Sequence, residues 1–301
     1  MVAPRVYQAM GQPVVGHLDP FFFEVTEQVR SLLGYCYSTR NHFNRAMSGT
    51  GSAGMEAAVA NFAEPGKKFA LLTNGFFGDR IGEMARRQGA EVVRLARQWG
   101  EPFDPQDVRD FIRGERPQVV AFVQAETSTG MFNQAKPICE AAREVDALVI
   151  ADCVTSLGGM PVLVDENGID IAYSCTQKGL GCPPGLAPMT VSPRALERLR
   201  TRTAIVHSWY LDLQLLDTFY AAVAWVCRTI NGGLKDLAAT QFQKYKSTVA
   251  TGPSHTDYQP PAVSGVWPGK IIVVDCPLRP LPSCGCIPAI IASWASPANR
   301  S

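Results

Sequence analysis

Ala147-Leu148-Val149-Ile150-Ala151-Asp152 is a run of apolar residues closed by an acid. A strand that is apolar on every residue, rather than on alternate ones, is covered on both faces. Two more stretches have the same character: Phe69-Ala70-Leu71-Leu72-Thr73, ended by the turn signal Asn74-Gly75, and Gln118-Val119-Val120-Ala121-Phe122-Val123. Glu91–Leu95 is strand-like as well. Between and around them lie helical patterns at Phe21–Leu33, Ala53–Phe62, Asp79–Gln88, Pro105–Arg113 and Lys136–Glu144. Strands alternating with helices predict an α/β fold, a mostly parallel central sheet with helices on both faces. Asp152 then stands at the C-terminal end of a buried strand, where such sheets bind ligands. A lone Asp there reads first as the cap of the turn Cys153-Val154-Thr155-Ser156, and only second as a ligand-binding acid.

The composition narrows the function classes. The chain has 301 residues, 46% of them hydrophobic and 18% charged, enough apolar material for a sizeable core and too little charge for a disordered chain. A net charge of +1 gives no electrostatic pull toward nucleic acid or an anionic membrane. No apolar run reaches the length of about 18 residues needed to span a bilayer, and residues 1–20 do not have the form of an export signal. The nine cysteines contain no C-x-x-C spacing, and with four scattered histidines no metal site or disulfide framework is written. A reducing interior, the cytoplasm, is the expected compartment, and Ala298-Asn299-Arg300-Ser301 is no peroxisomal signal.

Two further stretches carry chemistry. Gly49-Thr50-Gly51-Ser52-Ala53-Gly54 leads into Met55-Glu56-Ala57-Ala58-Val59, a small-residue turn opening a helix whose N–H groups and dipole attract phosphate. The spacing matches the G-x-G-x-x-G dinucleotide fingerprint, but Asn41-His42-Phe43-Asn44-Arg45-Ala46 does not read as the strand this fingerprint requires. The next strand is followed by Asn74, where the fingerprint wants an acid. A generic phosphate cup remains, beside an ordinary loop whose Ser or Thr hydroxyl caps the helix. The other stretch is Tyr173-Ser174-Cys175-Thr176-Gln177-Lys178-Gly179-Leu180-Gly181. Its single Lys is either solvated surface or an amine whose small and apolar neighbours favour imine formation.

A phosphate cup at a helix start, an acid at a strand end and a loop Lys after a later strand together suit pyridoxal 5'-phosphate. The chain resembles the class V branch of fold-type I pyridoxal-phosphate aminotransferases, closest to the alanine–glyoxylate and serine–glyoxylate (serine–pyruvate) transaminases. The residues that carry the resemblance are Ser48–Ser52 with Glu56, Asn74-Gly75-Phe76-Phe77-Gly78, Glu126-Thr127-Ser128-Thr129-Gly130, Ala151–Gly159, Ser174–Lys178, Pro183-Pro184-Gly185 and Trp209-Tyr210-Leu211-Asp212. They run in order from residue 3 to about residue 215.

The resemblance implies that Lys178 forms the Schiff base and that Asp152 holds the pyridine nitrogen protonated. It implies further that Thr50, Gly51 and Gln177 hold the phosphate, that Ser52 lies beside the cofactor, and that Thr127 contacts the ring substituents. Val154 would pack on one ring face and Phe77 would stack on the other, where many relatives have Trp. Without the resemblance Phe77 reads as a core aromatic, Thr127 as a buried hydroxyl bonded to backbone, and Gln177 as a surface amide.

The expected activity is transfer of an amino group from alanine or serine to glyoxylate or another small 2-oxo acid, by a ping-pong route, in a homodimer. Two other readings stand beside it. One is a cofactor-binding chain without a competent substrate site; the other is a cysteine desulfurase-like lyase, for which Cys284-Gly285-Cys286 would be the mobile thiol loop. The family's N-terminal Gly-Pro-rich loop is not found, nor is its small C-terminal domain with the arginine that pairs with the substrate carboxylate. Neither Arg279 nor His255-Thr256 is given a role. Residues 1–215 are therefore expected to form the cofactor-binding large domain and 216–301 an unmatched segment. Nine of the chain's 22 prolines follow Gly252, which leaves little room for long helices.

Overall fold

Asp19-Pro20, Asp104-Pro105 and Ser192-Pro193 start three helices in the same way. The Pro supplies a pre-set φ in the first turn, and the preceding side chain accepts the free N–H groups behind it. Asp19 accepts from Phe21 (2.8 Å), Asp104 from Gln106 (2.7 Å) and Ser192 from Ala195 (3.1 Å). The computed structural model describes residues 2–17 and 19–219.

The helices are α1 (Pro4–Met10), α2 (Pro20–Tyr37), α3 (Gly51–Phe62), α4 (Phe76–Arg87), α5 (Pro105–Glu115), α6 (Ala135–Glu144), α7 (Val164–Asn167) and α8 (Pro193–Thr201). The main sheet contains β1 (Phe43–Ser48), β2 (Lys68–Thr73), β3 (Glu91–Ala96), β4 (Val119–Val123), β7 (Leu148–Asp152), β8 (Ile171–Tyr173) and β9 (Leu186–Val191). A separate small ribbon pairs β5 (Ala125–Glu126) with β6 (Met131–Phe132). The seven strands lie in the order β1-β9-β8-β7-β4-β2-β3, and β9 runs antiparallel to both its neighbours.

Successive strand residues point to opposite faces, and both faces are covered. Phe69, Leu71, Val119, Ala121, Leu148, Ile150 and Ile171 pack with α3, α4 and α8. The residues between them, Ala70, Leu72, Val120, Phe122, Val149, Ala151 and Ala172, pack with α2, α5 and α6. This alternation matters for the site. Carried one step on, it sends Asp152 and Tyr173 to the α3–α4 face.

All the helices and strands expected between residues 20 and 152 are present, with ends moved by a few residues. One expectation is overturned: Asn41–Ala46 does not read as a strand, yet β1 occupies Phe43–Ser48. Its polar residues hide it. Asn44 is buried because its amide donates to the Asn41 carbonyl (2.7 Å), and the Arg45 guanidinium lies over the Phe43 ring at 5.9 Å. A strand thus does precede the glycine turn. The dinucleotide reading still fails, since β1 and β2, the strands on either side of α3, lie far apart in the sheet instead of side by side. Strand β9 also escapes the sequence reading because it holds Pro188, one residue past the last β8 pairing, Tyr173↔Met189.

After α8 the chain folds back onto α3. The Asn61 amide donates to the Leu211 carbonyl (2.7 Å) and accepts from the Leu213 N–H (3.0 Å), and both leucines are buried. Arg202 donates to the carbonyls of Ala60 (3.1 Å) and Ala63 (3.3 Å), closing the end of α3. Residues 213–219 are helical. The sequence also reads as weakly helical at Leu234–Tyr245 and strand-like at Lys270–Val274; these stretches, His255-Thr256, Arg279 and Cys284–Cys286 lie outside the described residues. Among the described residues no helix is long and apolar enough to cross a membrane.

Candidate active site

The C-terminal ends of β2, β4, β7 and β8 meet the N-termini of α3 and α4, and several of the side chains singled out in the sequence gather there. Asp152 ends β7 and is 2% exposed. Its Oδ1 accepts the Val154 N–H (2.9 Å), so the turn-capping role is real. Its Oδ2 accepts the Tyr173 hydroxyl (2.8 Å) from the register-paired residue of β8. Burial pushes the Asp152 carboxyl up to about 6; the Val154 and Tyr173 donors oppose this, Glu126 adds to it, and Arg80 opposes it.

Thr50 precedes α3 in an extended conformation and makes no side-chain capping bond, so its hydroxyl is not spent on the helix. A methyl group at Gly51 would lie 3.0 Å from Val154 Cγ2 and 3.2 Å from Cys175 Cβ. The first residue of α3 is therefore packed closely against both the β7 and the β8 loops, and a side chain there would press on Val154 and Cys175. Ser52 is exposed, and its Oγ accepts from the Arg80 guanidinium (3.3 Å).

The aromatic side of the site is built on α4. Phe77 is half-buried and packs against the core, with Phe76 edge-on to it at 5.4 Å. The Arg80 guanidinium lies 5.0 Å from the Phe76 ring centre and 5.1 Å from that of Phe77, a cation over two π faces. Arg80 thus ties the first turn of α4 to the first turn of α3.

Glu126, 1% exposed, secures the start of α4. Its Oε2 accepts the N–H groups of Phe77 (3.1 Å) and Gly78 (3.2 Å), and its Oε1 accepts the Ser128 hydroxyl (2.6 Å). Ser128 Oγ in turn accepts the Phe76 N–H (3.0 Å). A carboxylate on the free N–H groups of a helix is favoured by the helix dipole. Glu126→Gln keeps the shape but turns an amine toward donors. The thermal midpoint should fall by the equivalent of about 2 kcal/mol. An unchanged melting curve would remove Glu126 as the anchor of α4.

Lys178 lies in a turn and is exposed, as is Gln177. Among the described residues the Lys178 amine makes no hydrogen bond or ion pair. The backbone N–H groups of Gln177 and Lys178 face the Cys175 thiol, whose pKa burial raises. Thr127 is exposed at the turn between β5 and β6 and so is not a buried hydroxyl. Contacts therefore run from Phe77 through Arg80 and Ser52 to Gly51, Val154, Asp152 and Tyr173, and from Gly51 through Cys175 to the Lys178 turn. Thr50 and Thr127 are neighbours of this set in sequence.

Tyr173 and Arg80 are absent from the residues singled out in the sequence. Tyr173 becomes visible only through strand register. Arg80 has a local signal, lying three and four residues beyond a pair of aromatics on a helix.

A helix-start cup, a buried strand-end acid and a loop lysine lie along one sheet edge, and the family model "Aminotransferase class-V" matches residues 16–208. The chain belongs to that family, whose cofactor is pyridoxal phosphate. The chain is 36% identical over 217 residues to the alanine–glyoxylate aminotransferase of Drosophila melanogaster, covering 72% of this chain and 55% of that protein. It is 40% identical over 204 residues to the (S)-ureidoglycine–glyoxylate transaminase of Bacillus subtilis, covering 68% and 49%. The crystal structure of an alanine–glyoxylate aminotransferase from Nostoc superposes with a TM-score of 0.71 at 45% identity, over 73% of this chain and 58% of that one. The chain spans about half the length of the curated relatives it matches.

The residues present suit the cofactor. Asp152 is a buried carboxylate between two fixed donors, Thr50 has an unspent hydroxyl, and Gly51 is packed closely against Val154 and Cys175.

Proposed function

We propose that the chain carries the cofactor-binding part of a pyridoxal-phosphate aminotransferase that moves an amino group from alanine or serine to glyoxylate or another small 2-oxo acid. The observation that carries this reading is the buried Asp152 carboxylate, held by Val154 and Tyr173, on the same sheet face as the open start of α3. Glyoxylate as acceptor is supported by the names of both curated relatives, which differ in the donor they use. Residues 1–215 are proposed as the large domain and 216–301 as a separate segment. A homodimer is proposed as well, in keeping with the exposed Ile205, Trp209, Tyr210, Leu215 and Phe219 after α8.

In this reading the backbone N–H groups at Gly51 and Ser52, the Thr50 hydroxyl and the Gln177 amide bind a phosphate at the positive end of α3. Val154 and Phe77 confine a flat ring between them, with Thr127 at its rim. Asp152 keeps a proton on the ring nitrogen. The bound cofactor supplies an aldehyde that condenses with amines and a ring that takes up electron density from the α-carbon. Lys178 Nζ would hold the aldehyde carbon of the cofactor and, when free, would serve as the base that takes the proton from the substrate α-carbon. The two substrates are used in turn.

The test is direct. The protein is incubated with pyridoxal phosphate, reduced with borohydride, digested and mapped. The label is expected on Lys178 alone; a label elsewhere, or none, overturns the reading. Turnover of alanine plus glyoxylate is measured on the same preparation. Labelling of Lys178 without turnover would leave a cofactor-binding chain that does not transaminate.

A further inference from the structure

Tyr173 is 0% exposed, and its hydroxyl donates to Asp152 Oδ2 at 2.8 Å. The two residues are cross-strand partners on β7 and β8, so backbone pairing sets the geometry of this bond. The other carboxylate oxygen is fixed by the Val154 N–H (2.9 Å). On its far side the tyrosine supports the cup. A methyl group at Gly54, in the first turn of α3, would lie 3.3 Å from Tyr173 Cβ and 3.4 Å from its Cδ2. The helix that opens the phosphate cup thus rests on the ring whose hydroxyl holds the acid.

We infer that Tyr173 is a positioning residue for the Asp152 carboxylate: it keeps that group ionised in a dry site and turns its remaining lone pairs toward the cofactor's ring nitrogen. The inference rests on the function proposed above. Burial and the Asp152 carboxylate push the Tyr173 phenol well above its ordinary value, so it stays a donor at every working pH. The other titratable groups acting on Asp152 are Glu126, which disfavours its charge, and Arg80, which favours it. Tyr37, Cys153 and Cys175 also lie within its field, and burial raises the pKa of each, which keeps them neutral. Tyr173 is therefore the one neutral side chain that donates to the acid among the described residues.

Tyr173→Phe removes the hydroxyl and leaves the ring on α3. Cofactor affinity is measured by fluorescence quenching from pH 5 to pH 9, and ring-15N pyridoxal phosphate is followed by NMR on the same proteins. Without its donor the Asp152 carboxylate protonates more readily. The acid limb of the affinity profile should move up by about one pH unit. The loss should be about tenfold near pH 6 and much smaller at pH 8, and the 15N signal should shift toward its unprotonated position. Titration of the cofactor's phosphate is common to both proteins and cancels. Replacing Tyr173 by 3-fluorotyrosine, a stronger donor of nearly the same shape, should move the limb the other way, and this arm decides the matter if the Phe variant does not fold. An unmoved limb, or a loss of affinity equal at every pH, overturns the inference and leaves Tyr173 as packing. Failure of the wild type to take a borohydride-fixed label on Lys178 instead overturns the function on which it rests.

Discussion

Asp152→Asn is expected to slow transamination by about 10²–10³-fold while making the cofactor-free protein more stable above pH 6. The two effects share one cause. A carboxylate buried at the end of β7 serves a cationic ring nitrogen well and is costly when nothing cationic is there. Burial raises its pKa from 3.8 to about 6, so across that interval the folded chain holds a proton that the unfolded chain has released. Folding stability contributed by this group therefore falls as pH rises from 3.8 to about 6 and stays reduced at higher pH. A shift of about two units corresponds to about 3 kcal/mol.

The Asn variant escapes that cost. Its oxygen still accepts the Val154 N–H, and its amine can donate to the Tyr173 oxygen. Urea denaturation of the two cofactor-free proteins should show a gap in favour of Asn that opens between pH 4 and pH 6 and is constant above. A gap that narrows with rising pH would show that the acid is not desolvated as the geometry indicates. Undiminished turnover in the variant would remove Asp152 from the chemistry.

Strands β2, β4 and β7 are legible in the sequence because the sheet is covered on both sides there, and residues 69–72, 119–123 and 148–151 within them are all apolar. Strands β1 and β9 are not, because each departs from that rule for a local reason. In β1, Asn44 is a polar residue buried with its amide donating to the Asn41 carbonyl, which hides the strand from an apolar pattern. In β9, Pro188 lies one residue past the last β8 pairing, and its carbonyl still accepts the Ser174 N–H (2.8 Å), so only its missing N–H is lost to the sheet. The candidate site divides along the same line. Asp152 follows an unmistakable strand, and the small residues before α3 mark a helix start, so both are legible from neighbours in sequence. Glu126 and Tyr173 act on residues 49 and 21 positions away, through pairings that no window of sequence displays. The resemblance to a family brought in the Lys178 assignment; its loop alone reads first as carrying an ordinary surface lysine.

Gly179→Ala is the second change expected to have a large effect, and it acts on the lysine through the backbone. The loop after β7 and the loop that carries Lys178 cross at Gly158 and Gly179. A methyl group at 179 would overlap the Leu157 carbonyl oxygen and lie 2.8 Å from the backbone of Gly158 and of Gly159. Those atoms cannot swing aside as a side chain can. Gly158 is held at φ +83, a left-handed conformation that other residues adopt only with strain. One loop must move relative to the other, and the residue being pushed is the neighbour of Lys178. Overpacking of this kind costs about 1–3 kcal/mol. A displacement of about 1 Å at the reacting amine is enough to lower the rate by about 10²-fold.

Gly181→Ala is the control. It lies in the same loop at φ +64, with nothing within 4 Å of the added methyl, so it strains the backbone without pushing on a neighbour. It should lower the melting temperature modestly and leave the borohydride label on Lys178 at wild-type yield. Gly179→Ala should lower both the rate and the label yield. Equal yields in the two variants would mean that the crossing of the two loops does not set the position of the amine.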